Sequence, residues 1–324
     1  MKPPVRNRGL FDVACIAGVF VMFVTSGCAM KRAKFVFGVI ADVQYGDREV
    51  PEGGDFQESI EKLAYCVSHF NSKDIVDNAS YIGASRRLSF VIQLGDIIAG
   101  GDNASKELGR VLGIYNRIKT RRYHVLGNHD FSGVDRKTVL EKLGMKEPYY
   151  DFQYRRWRFV VLDTTDVAVK GGWPKDSPNY VAGEKLLNEL VRREAPNALD
   201  WNGGVGAEQK RWLSDVLSDA DKKKQNVVVF GHHPLVPAGS RHNLWNNDEI
   251  ISILQSHKCV FAYINGHRHI GDYVWKNNIY YVTIDGMVTS PRKKGYAVVW
   301  VYSDRLEIEG MTEVPRLTLP LVKR

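Results

Sequence analysis

The sequence predicts a layered α/β fold with mixed β-sheets, and three of its features lead there. From Phe35 onward short apolar runs alternate with stretches of helical periodicity; nearly every run stops at a polar, glycine-containing loop; and the last third turns into successive apolar segments joined by tight turns. Taken in order, Phe35 to Ala41, Phe90 to Leu94, Tyr123 to Leu126, Phe159 to Leu162, Val227 to Phe230 and Val260 to Ile264 read as buried strands. Between them Phe56 to Phe70, Ser105 to Ile118, Lys185 to Arg193, Ala207 to Leu217 and Asp248 to Ser256 read as helices. The fourth sets Trp212, Leu213, Val216 and Leu217 on one face. Ile279 to Ile284, Tyr296 to Tyr302 and Leu306 to Glu309 follow as strands with short turns, so the sheets are mixed rather than purely parallel. With no repeat, long linker or low-complexity tract, the chain divides into a leader at 1–27, a tether at 28–34, one domain at 35–317 and a tail at 318–324. The stretch from Gly171 to Asn202, rich in Gly, Pro and Asn, reads as a long surface insertion overhanging the site.

A chain of 324 residues with 44% hydrophobic content is ordinary for a globular protein with a full core, so disorder is not the default expectation. The net charge is +8, of which Lys2, Arg6, Arg8 and Asp12 of the leader account for +2. The rest suits an anionic substrate or surface, but it is spread along the chain and does not argue for nucleic acid. Lys2, Arg6 and Arg8, the apolar run Val13 to Val24, and Thr25-Ser26-Gly27-Cys28 have the layout of an export signal too short for a comfortable membrane span. Small residues before a cysteine resemble the bacterial lipobox, which implies acylation at Cys28 and an exported lipoprotein on the periplasmic or outer face of a membrane. An ordinary cleaved signal or a short uncleaved anchor fits the same residues. Cys66 and Cys259 remain for the domain and leave one disulfide open; no CxxC pair suggests structural zinc.

Five strand ends carry metal-ligand residue types: Asp42-Val43-Gln44, Gly95-Asp96, Gly127-Asn128-His129-Asp130, Gly231-His232-His233-Pro234 and Gly266-His267-Arg268-His269. One Asp or His at a strand end is usually a cap or a surface group. An ordered set of five is different, because the loops after the strands of an open α/β sheet are where ligands converge. The glycines are expected to let the backbone turn sharply beside an ion. Carboxylate, amide and imidazole together suit Mn, Fe or Zn better than Ca or Mg. Two such cations can clamp both oxygens of an in-line displacement at phosphorus and generate hydroxide at neutral pH. Tyr45, Phe56 and Trp245 are candidate stacking faces for a base. Arg292, Lys293 and Lys294 read as a solvated basic loop, and His69, His124, His242 and His257 as structural or surface residues.

These blocks resemble the calcineurin-like metallophosphoesterase superfamily, whose pattern is D-x-H, G-D, G-N-H-[DE], G-H-x-P and G-H-x-H. Gln44 replaces the usual histidine. With Phe37-Gly38-Val39-Ile40-Ala41-Asp42, Gln93-Leu94-Gly95-Asp96, Trp201-Asn202-Gly203-Gly204 and the Glu208 to Leu213 segment, it is similar to the branch of manganese-dependent ADP-ribose/CDP-alcohol diphosphatases. The resemblance implies a four-layer αββα sandwich and a pair of divalent cations, manganese first. It implies Asp42, Gln44 and His269 on one metal, Asp96 as bridge, and Asn128, His232 and His267 on the other. His129 is implied as the group beside the scissile phosphate, Asp130 as its orienting partner, and His233 as a support. The implied reaction is hydrolysis of a nucleoside-diphosphate-linked small molecule by metal-activated hydroxide, without a phosphoenzyme. A phosphomonoesterase or cyclic phosphodiesterase would use the same metals; a non-catalytic surface-anchored binding protein would be expected to have lost some of the set.

Overall fold

The computed structural model describes residues 32–47, 56–72, 75–76, 85–291, 295–310 and 316–321. The leader with Cys28 and the run Arg292-Lys293-Lys294 lie outside the described residues. Residues 31–324 form one compact unit.

In chain order the elements are β1 Phe35–Ile40, α1 Ser59–Phe70, β2 Ile75–Val76, β3 Ser85–Arg86, β4 Phe90–Gln93, α2 Ala104–Tyr115 and β5 Arg121–His124. A short 3-10 turn at His129–Phe131 precedes α3 Arg136–Leu143, β6 Tyr150–Tyr154, β7 Trp157–Val161, α4 Pro178–Arg192, α5 Ala207–Lys222 and β8 Asn226–Phe230. Then come α6 Asn247–Gln255, β9 Val260–Asn265, β10 Asp272–Lys276, β11 Ile279–Thr283, β12 Tyr296–Val301, β13 Arg305–Glu309 and β14 Arg316–Pro320. One sheet has the order β14-β13-β12-β1-β4-β5 and the other β10-β11-β9-β8-β7-β6. Both are mixed. In the first, β1, β4 and β5 are parallel; in the second, β7, β8, β9 and β11 are.

The central strands are apolar on both faces because both faces are covered. Alternate residues of β1 serve two cores: Val36 and Ile40 pack with Leu63 and Phe70 of α1, Val111 of α2 and Val139 of α3. Phe35, Phe37 and Val39 point the other way, into the space between the sheets, with Phe90, Phe159, Phe230 and Phe261. Phe37 stacks on Phe90 at 4.7 Å, and Phe159 meets Phe90 edge-on at 4.9 Å, so the two sheets are joined by aromatic contacts. On the outer face of the second sheet Val160, Val229 and Tyr263 pack with Leu213 and Leu217 of α5 and Ile250 and Leu254 of α6. Helix, sheet, sheet and helix make the four-layer sandwich. All three cores draw on residues 33–319 alone, so residues 31–324 bury the apolar surface needed to fold without the leader.

The edge strands β6, β10 and β14 and helix α3 add to the elements expected from periodicity, and the domain runs through β14 to Pro320 instead of stopping at 317. The insertion holds a longer helix than its periodicity suggested: α4 starts at Pro178, with Ser177 capping it by accepting the Tyr180 amide at 3.2 Å. Cys66 and Cys259 are both buried and are not joined in a disulfide.

Candidate metal centre

The parallel strands of both sheets point their C-terminal ends at one place. Asp42 and Gln44 follow β1, Asp96 follows β4, and Asn128 and His129 follow β5; His232 follows β8, and His267 and His269 follow β9. The backbone there is held in an unusual state. Asp42, Gln44, Asp96, His267 and His269 all have positive φ, between 39° and 69°, a region that costs a non-glycine residue of order 1 kcal/mol or more. This corrects the expectation about the glycines: of those preceding the ligand types, only Gly95 has positive φ, and the functional residues themselves make the turns. Gly127 and Gly266 serve close approach instead. A Cβ on Gly127 would lie 2.3 Å from Asp96 Oδ1, and one on Gly266 would lie 2.5 Å from Asp42 Oδ2.

At the centre stands His232 Nε2, 3.2 Å from Asp96 Oδ2, 3.2 Å from Asn128 Oδ1 and 3.0 Å from His267 Nδ1. The opposite ring atoms fix the tautomers, as assigned from their partners. His232 Nδ1 donates to the Leu94 carbonyl at 2.8 Å, and His267 Nε2 donates to Asn202 Oδ1 at 3.0 Å. The facing nitrogens therefore present lone pairs to each other and to two oxygens, an arrangement that needs a positive charge among them. Gln44 donates to Asp96 Oδ2 at 3.0 Å, and His269 Nε2 lies 3.7 Å from Asp42 Oδ1. Asp42, Asp96 and His232 bring donor atoms within 4.8 Å of one another.

The protonation states of the bare cluster agree. Burial, with Asp96 adding repulsion, pushes Asp42 up to about 8. Burial disfavours charge on His232, yet the Asp96 and Asp42 carboxylates outweigh it and raise that imidazole to about 9. Burial acts against Asp96 too, but His232 and His129 hold it below the usual carboxylate range. Burial lowers His269 to about 4 and His267 well below its ordinary value, so both stay neutral, as metal-ligating imidazoles must. Protons stand where the donor set calls for cations, and the residues fit a divalent metal site.

Not every expected role survives. Asp130 does not orient His129: its carboxylate accepts the backbone amides of Asp96, Ile97 and Gly127, at 3.1, 2.7 and 2.8 Å, and pins two ligand loops together. His129 is aligned by the Ala99 carbonyl, which takes its Nδ1 proton at 2.8 Å and leaves Nε2 free of that bond. Tyr45 is buried with its hydroxyl against Arg110, and Trp245 is buried with its indole donating to Leu199 at 3.2 Å. Neither lines the metal cavity, because both rings are spent on packing. Phe56 does. The cavity, about 450 Å³, is lined by Gln44, Asp96, Asn128, His129, His267 and His269, and by Phe56, Ser132, Lys170, Trp201 and His242. His242 is thus a site residue and not merely a surface one. Trp201 packs 5.2 Å from His267 and 5.3 Å from His242. His233 accepts from Thr164 Oγ1 at 2.8 Å and reaches the Trp201 carbonyl at 3.4 Å; with both nitrogens engaged it supports the loop.

One further residue escaped any motif. Arg136 of α3 pairs with buried Asp163 after β7, donates to the Gly171 carbonyl at 2.6 Å, and lies between the rings of Phe131 and Trp173 at 4.7 and 4.2 Å. It ties the His129–Phe131 turn to the start of the insertion.

A family model described as calcineurin-like phosphoesterase matches residues 35–271. Manganese-dependent ADP-ribose/CDP-alcohol diphosphatases are similar over nearly their whole length. The one from Oryza sativa is 32% identical, covering 90% of this chain and 96% of that protein, and the one from Homo sapiens is 31% identical, covering 87% and 91%. Among solved structures, a dimetal phosphatase from Danio rerio superposes with a TM-score of 0.78 at 27% identity, covering 90% of this chain and all of that one.

Proposed function

Since the chain belongs to the calcineurin-like phosphoesterase family and is a metal-dependent phosphohydrolase, we propose that it is a two-metal, manganese-dependent diphosphatase. Its substrates are nucleoside-diphosphate-linked small molecules of the ADP-ribose or CDP-alcohol type. The observation that carries this reading is the cluster around His232 Nε2, where lone pairs from two sheets meet beside a cavity with aromatic walls. Relatives named for that activity, aligned over about nine-tenths of this chain, support the substrate class.

Asp42, Gln44 and His269 would hold one cation, Asn128, His232 and His267 the other, with Asp96 between them. Bound divalent cations supply charge neutralisation for the phosphoryl oxygens and a water of lowered pKa. The chain's own groups do the rest. His129, its Nδ1–H held by the Ala99 carbonyl, would protonate the leaving oxygen from Nε2 when the ring carries protons on both nitrogens. Lys170, held at 2.9 Å by Asp200 on the cavity rim, attracts the second phosphate. Phe56, one of the three expected stacking faces, keeps that role, and Trp201 takes it in place of Tyr45 and Trp245. The test is a manganese-supplemented hydrolysis panel. ADP-ribose or CDP-choline should be cleaved with higher kcat/KM than p-nitrophenyl phosphate or cyclic nucleotides, giving a nucleoside monophosphate and a phosphorylated remainder. Equal or better turnover of simple monoesters would replace the diphosphatase reading with a phosphomonoesterase one.

A further inference from the structure

The pole of the sandwich opposite the metal cavity is basic. In the second sheet Trp157 pairs with Asn226, Val227 with Val260 and Lys276 with Ile279, so the turns before β7, β8 and β9 and the end of β10 lie at one end. Those turns expose Arg155, Arg156, Lys222, Lys224, Lys258 and Lys276. In the first sheet Phe35 pairs with Val301 and Phe90 with Arg121. The residues leading into those strands expose Arg32, Lys34, Arg87 and Lys119, and the start of β5 exposes Arg122. Phe35 packs against Tyr154 at 4.9 Å and brings the two ends together. The acids nearby are occupied: Asp219 by Arg158 and Lys223, Asp221 by His257 and the Cys259 amide, and Asp304 by Arg305.

Two more features lie at this pole. Trp275, beside Lys276, is 56% exposed, the posture of an interfacial aromatic anchor. Between the end of α1 and the starts of β4 and β5 a cavity of about 320 Å³ is lined by Arg87, Lys119, Thr120 and Ser72 over Phe70 and Leu88. The Ser72 hydroxyl has no hydrogen-bond partner among the described residues. Two cations above an apolar floor match a phosphate joined to a hydrocarbon.

We propose that this pole lies against an anionic phospholipid surface, with the cavity at Arg87 and Lys119 taking a lipid phosphate. The chain enters the fold here, through Arg32 and Lys34 into β1. An acylated Cys28, as the lipobox resemblance implies, would keep the bilayer within about 25 Å of Phe35, since an extended chain gains at most about 3.5 Å per residue. The inference is independent of which phosphate compound is hydrolysed.

The test uses residues 31–324, which close their own core. Co-sedimentation is measured with vesicles of phosphatidylcholine alone and of phosphatidylcholine with phosphatidylglycerol, at low and high salt. The wild type should partition onto the anionic vesicles and be released by salt. Replacing Arg155, Arg156, Lys222, Lys224 and Lys258 with Gln should lower partitioning at least about 100-fold, and Arg87→Gln with Lys119→Gln about 10-fold, with phosphohydrolase turnover unchanged. Equal partitioning onto both vesicle types, or variants that bind like the wild type, would overturn the proposal. So would duplex DNA or RNA displacing the wild type from vesicles at equal charge, which would mark a nucleic-acid surface instead.

Discussion

At Asp96 several demands meet in one side chain: a left-handed backbone, Oδ1 taken by the His129 amide at 2.8 Å, and Oδ2 shared by Gln44 and His232. Asp96→Asn should therefore cost more bound metal and more turnover than Gln44→His, which supplies the family's usual ligand. His129→Ala should keep its metal and lose about 10² to 10⁴ in kcat. Metal analysis alongside kinetics separates them, and a silent Asp96→Asn would reassign the bridge. A second expectation concerns protons. Asp42, raised to about 8, and His232, raised to about 9, hold protons near neutrality that cations must displace. Manganese affinity should rise with pH up to that range and fall below it by about tenfold per unit for each proton released. Calorimetry in buffers of different ionisation enthalpy would detect the release, and a flat profile would contradict it. The ligand types were legible because each sits in a short contiguous block at a strand end, and the glycines of three of those blocks have a geometric cause: the positive φ of Gly95 and the close approach at Gly127 and Gly266. The site roles of Trp201, His242 and Lys170 on the cavity wall and of Asn202 behind His267 were not, since each arises only by tertiary contact.

Among the elements, the most consequential joint is Arg136, which holds α3, the His129–Phe131 turn, the loop after β7 and the insertion together. Breaking a buried pair by removing one partner costs about 3–5 kcal/mol, so Arg136→Met should lower stability in urea by that order and slow turnover by loosening the turn. Arg136→Lys should rescue little, because a single ammonium cannot reproduce the planar fork stacked between two rings. A loss under about 1 kcal/mol would show the joint to be incidental. The same elements show where periodicity reads well. Strands buried on both faces, such as β1, β8 and β9, announce themselves as apolar runs. The edge strands do not: β10 is Asp-Tyr-Val-Trp-Lys and β6 is Tyr-Asp-Phe-Gln-Tyr, with side chains half in water. At β5 the apolar Val125 and Leu126 are buried in the loop beyond a strand made of Arg121 to His124.

For the whole molecule, periodicity alone could not divide the strands between two sheets, since the partition rests on long-range pairing; the four-layer arrangement was legible only through the family resemblance. The basic pole was hidden for a similar reason, its charges arriving from turns far apart in sequence. The ligand types, however, are divided between the sheets: Asp42, Gln44, Asp96 and Asn128 follow strands of one, and His232, His267 and His269 follow strands of the other. Cations bound among them would fasten the two halves and stabilise only the folded state, by about 2.7 kcal/mol at a free concentration one hundred times Kd. Chelation should lower the melting temperature and manganese restore it; an unchanged midpoint would mean that the sheets are held by their aromatic core alone. If they are fastened this way, the metal sets the protein's survival as well as its chemistry. A cell short of manganese would hold the same gene product in a state that opens more often and is cleared sooner by proteases, so that its abundance would track metal supply with no change in synthesis.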